Sequence, residues 1–251
     1  CILFLPVVTV LASICRRIIP VIDAEASDVL QYLEPNLLKT PSIALQQAVR
    51  EVNYMVHKAH RSVSESGQMF IEPKPGMEEK ILERENVIDQ LQHDIAEYLV
   101  LLSRTDLNAD EASLMPLLLH AVNDAERLGD HAEELLEVYH LLQQYDLKMP
   151  PAELREIQAI REKLDDLFDA VFRIFERHEM AAGDDVKRIE AQLQQMIKDF
   201  TDANVKRIDE GICDVQAGVI YLDALPRLER VAQHLLNIGE RAVDMVRVIS
   251  E

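Results

Sequence analysis

The chain has 251 residues, 45 acidic and 26 basic, with a formal charge of −19. That balance excludes a nucleic-acid partner, whose backbone is held by clustered Lys and Arg displacing counterions. The absence of Trp, the 7 Gly and the abundance of Ala, Leu, Glu, Gln and Arg favour helix over sheet, and the three cysteines, Cys1, Cys15 and Cys213, lack metal-site spacing and imply a reducing compartment without disulfides.

Cys1 to Cys15 contain no charge and are followed at once by Arg16 and Arg17. Residues 1–19 read as the end of a transmembrane helix of a longer chain. The arginine pair places the residues after Arg17 on the cytoplasmic side of the inner membrane. A signal peptide is the rival, since Ala24-Glu25-Ala26 resembles a cleavage site, but the positive charges come after the apolar run instead of before it. A buried core helix is a third reading. Residues 20–42, with Pro20, Pro35 and Pro41, form a connector.

From Ser42 the pattern is helical. A first helix is expected over Ser42 to about Ser66, a second from Met77 to Arg104 after the break Glu72-Pro73-Lys74-Pro75-Gly76, and a third, capped within Thr105 to Ala109, reaching Tyr145. Lys148-Met149-Pro150-Pro151 ends this set. A second set is expected over Ala152 to Met180, Asp184 to Glu210, and Cys213 to the end. Pro116 and Pro226 fall inside the third helix of each set and predict a kink or a delayed start. The expected fold is therefore all-α, two tandem antiparallel three-helix bundles over residues 43–148 and 149–251.

The two sets echo one another. Glu126-Arg127-Leu128-Gly129-Asp130-His131 returns 103 positions later as Glu229-Arg230-Val231-Ala232-Gln233-His234, and Gln90-Leu91-Gln92 with Ile95 returns as Gln192-Leu193-Gln194 with Ile197. In the first copy Glu126 and Asp130 are an i, i+4 pair on one helix face, with Asn123 one turn earlier and Glu133, Glu134 and Glu137 extending the acidity. Glu85 and Asp89 form a second pair where antiparallel packing would set them opposite the first. Four converging carboxylates repel unless a cation sits among them, and Fe, Mn, Mg, Ca or Zn would accept their oxygens. The plainer alternative is a solvated acidic face, common in so acidic a chain. His131 and His234 fall five residues after their Glu and read as surface groups or as supports behind the ligands. Glu137-Val138-Tyr139-His140 is the single Glu-x-x-His, which disfavours a ferritin-like di-iron enzyme. No Walker loop or Gly-x-Ser-x-Gly turn is present, and no catalytic apparatus is expected.

Glu126-Arg127-Leu128-Gly129-Asp130-His131 and Glu229 to Glu240 resemble the two signature segments of the PhoU family, with its Glu/Asp-x-x-x-Asp metal motif, and the resemblance covers residues 43 to 250. Tyr32 to Leu45 is similar to the connector after the membrane part of bacterial sodium/phosphate cotransporter-related proteins, which carry a PhoU-like domain. The resemblance implies a pseudo-twofold pair of bundles, metal on their acidic faces, and a regulatory or accessory role in phosphate uptake. The implied partners are the membrane part of the same transporter, inorganic phosphate through bound metal, and a second copy as a homodimer. Glu126, Asp130, Glu85 and Asp89 are the implied ligands. The second copy departs from the pattern: Gln233 replaces Asp, and Lys187 and Ala191 stand at the places of Glu85 and Asp89. Glu229, Gln233 and Asn237 are therefore expected to form a degenerate site neutralised by Lys187, while Glu240 and Asp244 form a further i, i+4 pair.

Overall fold

The computed structural model describes residues 30–250, so the expected membrane-helix end at 1–19 lies outside the described residues. A 3-10 turn at Pro35–Lys39 is followed by six helices: α1 (Pro41–Ile71), α2 (Met77–Leu102), α3 (Ala109–Gln144), α4 (Pro151–Arg177), α5 (Ala182–Asp209) and α6 (Val215–Ser250). No strand occurs among the described residues, as the composition predicts.

Local chemistry sets the helix ends. Pro41 opens α1, where its missing N–H is not needed. Asn108 and Glu111 form a reciprocal capping box on α3, each side chain accepting the other's backbone N–H at 2.9 Å. The Asp214 carboxylate accepts the Ala217 N–H at 2.9 Å and so caps α6, which begins two residues later than expected. α1 runs past Ser66 to Ile71 because Met69 and Phe70 are buried, and the chain turns only at Glu72, before Pro73. α3 and α6 continue unbroken through Pro116 and Pro226, and neither start is delayed to its proline. Buried Leu114 and Leu118, and Leu225 and Leu228, hold the turns on either side of each lost hydrogen bond.

α1, α2 and α3 pack on one another, as do α4, α5 and α6, and the short connections make consecutive helices antiparallel. The two bundles join through α1 against α4 and, more extensively, α3 against α6. Helices of the same rank thus meet across the junction, as a pseudo-twofold relation pairs them, and the buried side chains form one continuous core.

Close helix approaches depend on particular glycines. A Cβ on Gly239 of α6 would stand 2.9 Å from Cγ1 of Val186 and 3.4 Å from Cγ2 of Val171, both rigid β-branched side chains in the core. Gly239→Ala is expected to cost about 1–3 kcal/mol, read from urea unfolding; a change within about 0.5 kcal/mol would show that the helices separate freely there.

The connector is fastened to α1. The fully buried Glu51 carboxylate accepts the backbone N–H groups of Gln31 (2.9 and 3.1 Å), Tyr32 (2.6 Å) and Leu33 (3.1 Å). Burial raises its pKa, and the three backbone donors oppose that rise. Hydrogen bonds to a charged group are worth about 1.5–3 kcal/mol each. Glu51→Ala is therefore expected to speed amide exchange at Gln31, Tyr32 and Leu33 by roughly tenfold or more, and unchanged exchange there would contradict the clasp.

The expectation of a chain seated in the inner membrane is corrected here. No described helix is long and apolar enough to cross a membrane. The physical reason is the charge each helix carries, for instance Glu78, Glu79, Glu83, Glu85 and Asp89 within α2 alone.

Candidate metal centre

Glu85 and Asp89 lie one turn apart on α2, and Asp130 faces them from α3. Backbone proximity brings them together. A Cβ on Gly129 would lie 3.3 Å from both Cδ1 and Cγ2 of Ile88, so a larger residue at 129 would require the Ile88 side chain to give way. Gly129 immediately precedes Asp130 and Ile88 immediately precedes Asp89, so this contact sets the two acids opposite each other. The glycine in the sequence signature therefore has a structural use, to let the acidic faces close.

One oxygen each from Glu85, Asp89 and Asp130 lies within 4.8 Å of the others. Glu126, one turn earlier on α3, is outside that group although its side chain is only 16% exposed. Its carboxyl is raised by burial, then by Asp130, against the opposing charge of Arg127. Glu85 is pushed up to about 7, by burial first and then by Asp89, Glu133 and Asp130, with a hydrogen bond to Asp89 that requires a shared proton. Of the expected extension, Glu133 adds charge to this cluster, while Glu134 turns away to His131 Nδ1 (3.1 Å) and Arg227 Nε (3.5 Å). The neutralising side chain present is Arg127, whose Nη1 lies 2.7 Å from Asp130 Oδ2.

The donor set suits a hard cation. Oxygens this close together can reach a single ion, at about 2.3–2.6 Å from calcium or about 2.0–2.1 Å from magnesium. All three donors are carboxylate oxygens, which favour Mg, Ca or Mn over metals that prefer nitrogen or sulfur. The lone Glu-x-x-His does not contribute: Glu137 is exposed, and His140 Nε2 lies 3.1 Å from Glu78.

The second copy does not gather its residues in this way. Lys187 pairs with Glu240 at 3.3 Å instead of with Glu229, and Asp244 pairs with Arg247 at 3.2 Å. The acid that feels Glu229 is Glu190, raised by burial and then by Glu229, and it was not expected from the repeat offset. Beside Glu229 runs a groove lined by Ala191, Gln194, Gln195 and Lys198; by the 102-residue offset Ala191 stands at the place of Asp89, while Gln194 repeats Gln92. Asn237 turns the other way, its Nδ2 donating to Asp124 at 3.3 Å.

His131 is buried and His234 half-buried. They meet across the α3–α6 crossing with ring centroids 5.5 Å apart. Asp124 of α3 binds His234 Nδ1 at 2.7 Å, Asn237 and Arg241 of α6, while Glu134 of α3 binds His131 and Arg227. The 103-residue offset exchanges Asp124 with Arg227 and Glu134 with Asn237, so the two networks are counterparts about the pseudo-twofold axis. The repeat of the histidines in the sequence signals that axis.

Residues 52–139 match the family model of the PhoU domain, a span that contains all four first-copy carboxylates. The chain is 25% identical over 186 residues to the Thermotoga maritima protein named phosphate-specific transport system accessory protein PhoU homolog 1, covering 72% of this chain and 79% of that one. It is 26% identical over 205 residues to the Synechocystis phosphate-specific transport system accessory protein PhoU homolog, covering 79% and 87%. The crystal structure of PhoU from Pseudomonas aeruginosa superposes with a TM-score of 0.66 at 20% identity, covering 84% of this chain and 96% of that one, which shows the fold. These matches support the PhoU family. The relatives are named as accessory proteins of a phosphate-specific transport system.

Proposed function

We propose that this chain is a PhoU-type accessory domain that regulates phosphate transport, with a metal ion held by Glu85, Asp89 and Asp130 and supported by Glu126. The match over residues 52–139 carries this reading, because it spans the helices that supply these carboxylates. The resemblance of Tyr32 to Leu45 to the cotransporter connector favours a sodium-coupled transporter as the partner. No enzymatic turnover is part of this reading.

The bound ion would supply positive charge through which inorganic phosphate can approach a protein of charge −19. The chain's own residues set that place: Gly129 and Ile88 hold the two helix faces together, and burial keeps the carboxyl of Glu85 near neutrality until a cation takes its proton's place. Arg127 on Asp130 favours a second reading, an acidic face that contacts a protein partner without metal. Phosphate uptake distinguishes them. Cells lacking the protein are expected to take up phosphate without restraint; the wild type restores control, and Asp89→Asn with Asp130→Asn does not. Full control by that variant favours the second reading, and uptake indifferent to the protein overturns the regulatory role.

A further inference from the structure

Away from the acidic centre, a cavity of about 650 Å³ opens between the connector, the first half of α1 and the end of α4. Its chemistry is unlike the rest of this acidic chain. Among the described residues lining it, Glu176 is the one carboxylate, and that group is already engaged by His57 Nε2 at 2.7 Å and Asn53 Nδ2 at 3.4 Å. Among the same residues Arg50 has no carboxylate partner and lies 5.7 Å over the Tyr32 ring. Asn53 Oδ1 is buried with no hydrogen-bond partner, closed off from the cavity. Tyr32 and Tyr54 stand edge to face at 6.5 Å, and the Gln46 and Gln47 amides complete the polar side.

An unmatched guanidinium recognises an oxyanion, above all a phosphate. The aromatic rings offer flat apolar surface. A volume within the range of small-molecule sites far exceeds what a bare phosphate fills. We propose that this cavity binds a mononucleotide, with its phosphate on Arg50 and its base against Tyr32 and Tyr54. Tyr32 belongs to the connector that Glu51 clasps, so occupancy would also steady residues 31–33 on α1.

Calorimetric titration of the full chain tests the site, with AMP, adenosine and inorganic phosphate as probes. EDTA and the Glu126→Ala, Asp130→Ala background keep the acidic centre silent, so the outcome is independent of the metal reading. AMP is expected to bind one to one and more tightly than adenosine or phosphate. Arg50→Ala, at an exposed position that leaves the fold intact by circular dichroism, is expected to weaken AMP roughly tenfold or more and to leave adenosine unchanged. No AMP binding at millimolar concentration, phosphate binding as tightly as AMP, or AMP binding indifferent to Arg50→Ala would each overturn the proposal.

Discussion

Without metal, Glu85→Gln combined with Asp89→Asn is expected to be at least as stable as the wild type, and with metal it is expected to be the less stable of the two. The sign reverses because the carboxylates repel when alone: Glu85 is driven up to about 7, after burial, by its acidic neighbours. Removing two charges relieves that repulsion. A cation turns the same cluster into a binding site, and a hundredfold excess of ion over its Kd adds about 2.7 kcal/mol. At about 2–4 °C per kcal/mol for a chain of this size, the wild-type Tm rises roughly 5–10 °C with added Mn²⁺ or Ca²⁺. Protons compete for Glu85, so the gain is larger at pH 8 than at pH 6. An equal rise in both proteins would show that the ion binds elsewhere, and a loss of stability in the metal-free variant would contradict the repulsion.

Asp124→Ala is expected to cost about 2–3 kcal/mol. Its carboxylate, 13% exposed, is the shared acceptor for His234, Asn237 and Arg241, and truncation leaves three half-buried donors without a partner. Burial would raise the Asp124 pKa, but the hydrogen bond from His234 and the charge of Arg241 outweigh it and hold it below the ordinary aspartate value. A carboxylate depressed by folding stabilises above its unfolded pKa and loses that contribution as the pH falls through the folded value. Wild-type stability therefore drops steeply below about pH 4, and Asp124→Asn flattens that acid limb. The opposite network, through the more exposed Glu134, is expected to be worth less than about 1 kcal/mol. A loss under about 1 kcal/mol for Asp124→Ala, measured by urea unfolding, would show that apolar contacts alone hold the crossing.

Much of this arrangement is legible in local patterns. The start of α3 follows from Asn108 with Glu111, stops follow from Pro73 and Pro150, and the duplicated segments give the bundle count, whereas the Asp214 cap moves the start of α6 two residues past the expected Cys213. Spacing also places Glu85, Asp89 and Asp130 on facing helices. Spacing does not rank the acids, and Glu126 stands outside the group, its carboxylate 3.5 Å from Arg127 Nε. What the sequence hides is every polar contact whose partner is remote. Glu51 and Glu153 look like members of solvated helix faces, yet both are fully buried, one by the connector backbone and the other by Asn204 at 2.9 Å and Arg207 at 2.7 Å. The repetition of His131 and His234 marks the pseudo-twofold relation, but neither helix alone names the partner across the crossing.

Elemental analysis of the full chain, purified without chelator beside Glu85→Gln with Asp89→Asn, tests the metal centre most directly. Near-stoichiometric Mg, Ca, Mn or Fe in the wild type and traces in the variant is the expected result. Equal trace metal in both would contradict a metal centre between α2 and α3, and leave an acidic face whose role is to meet another protein.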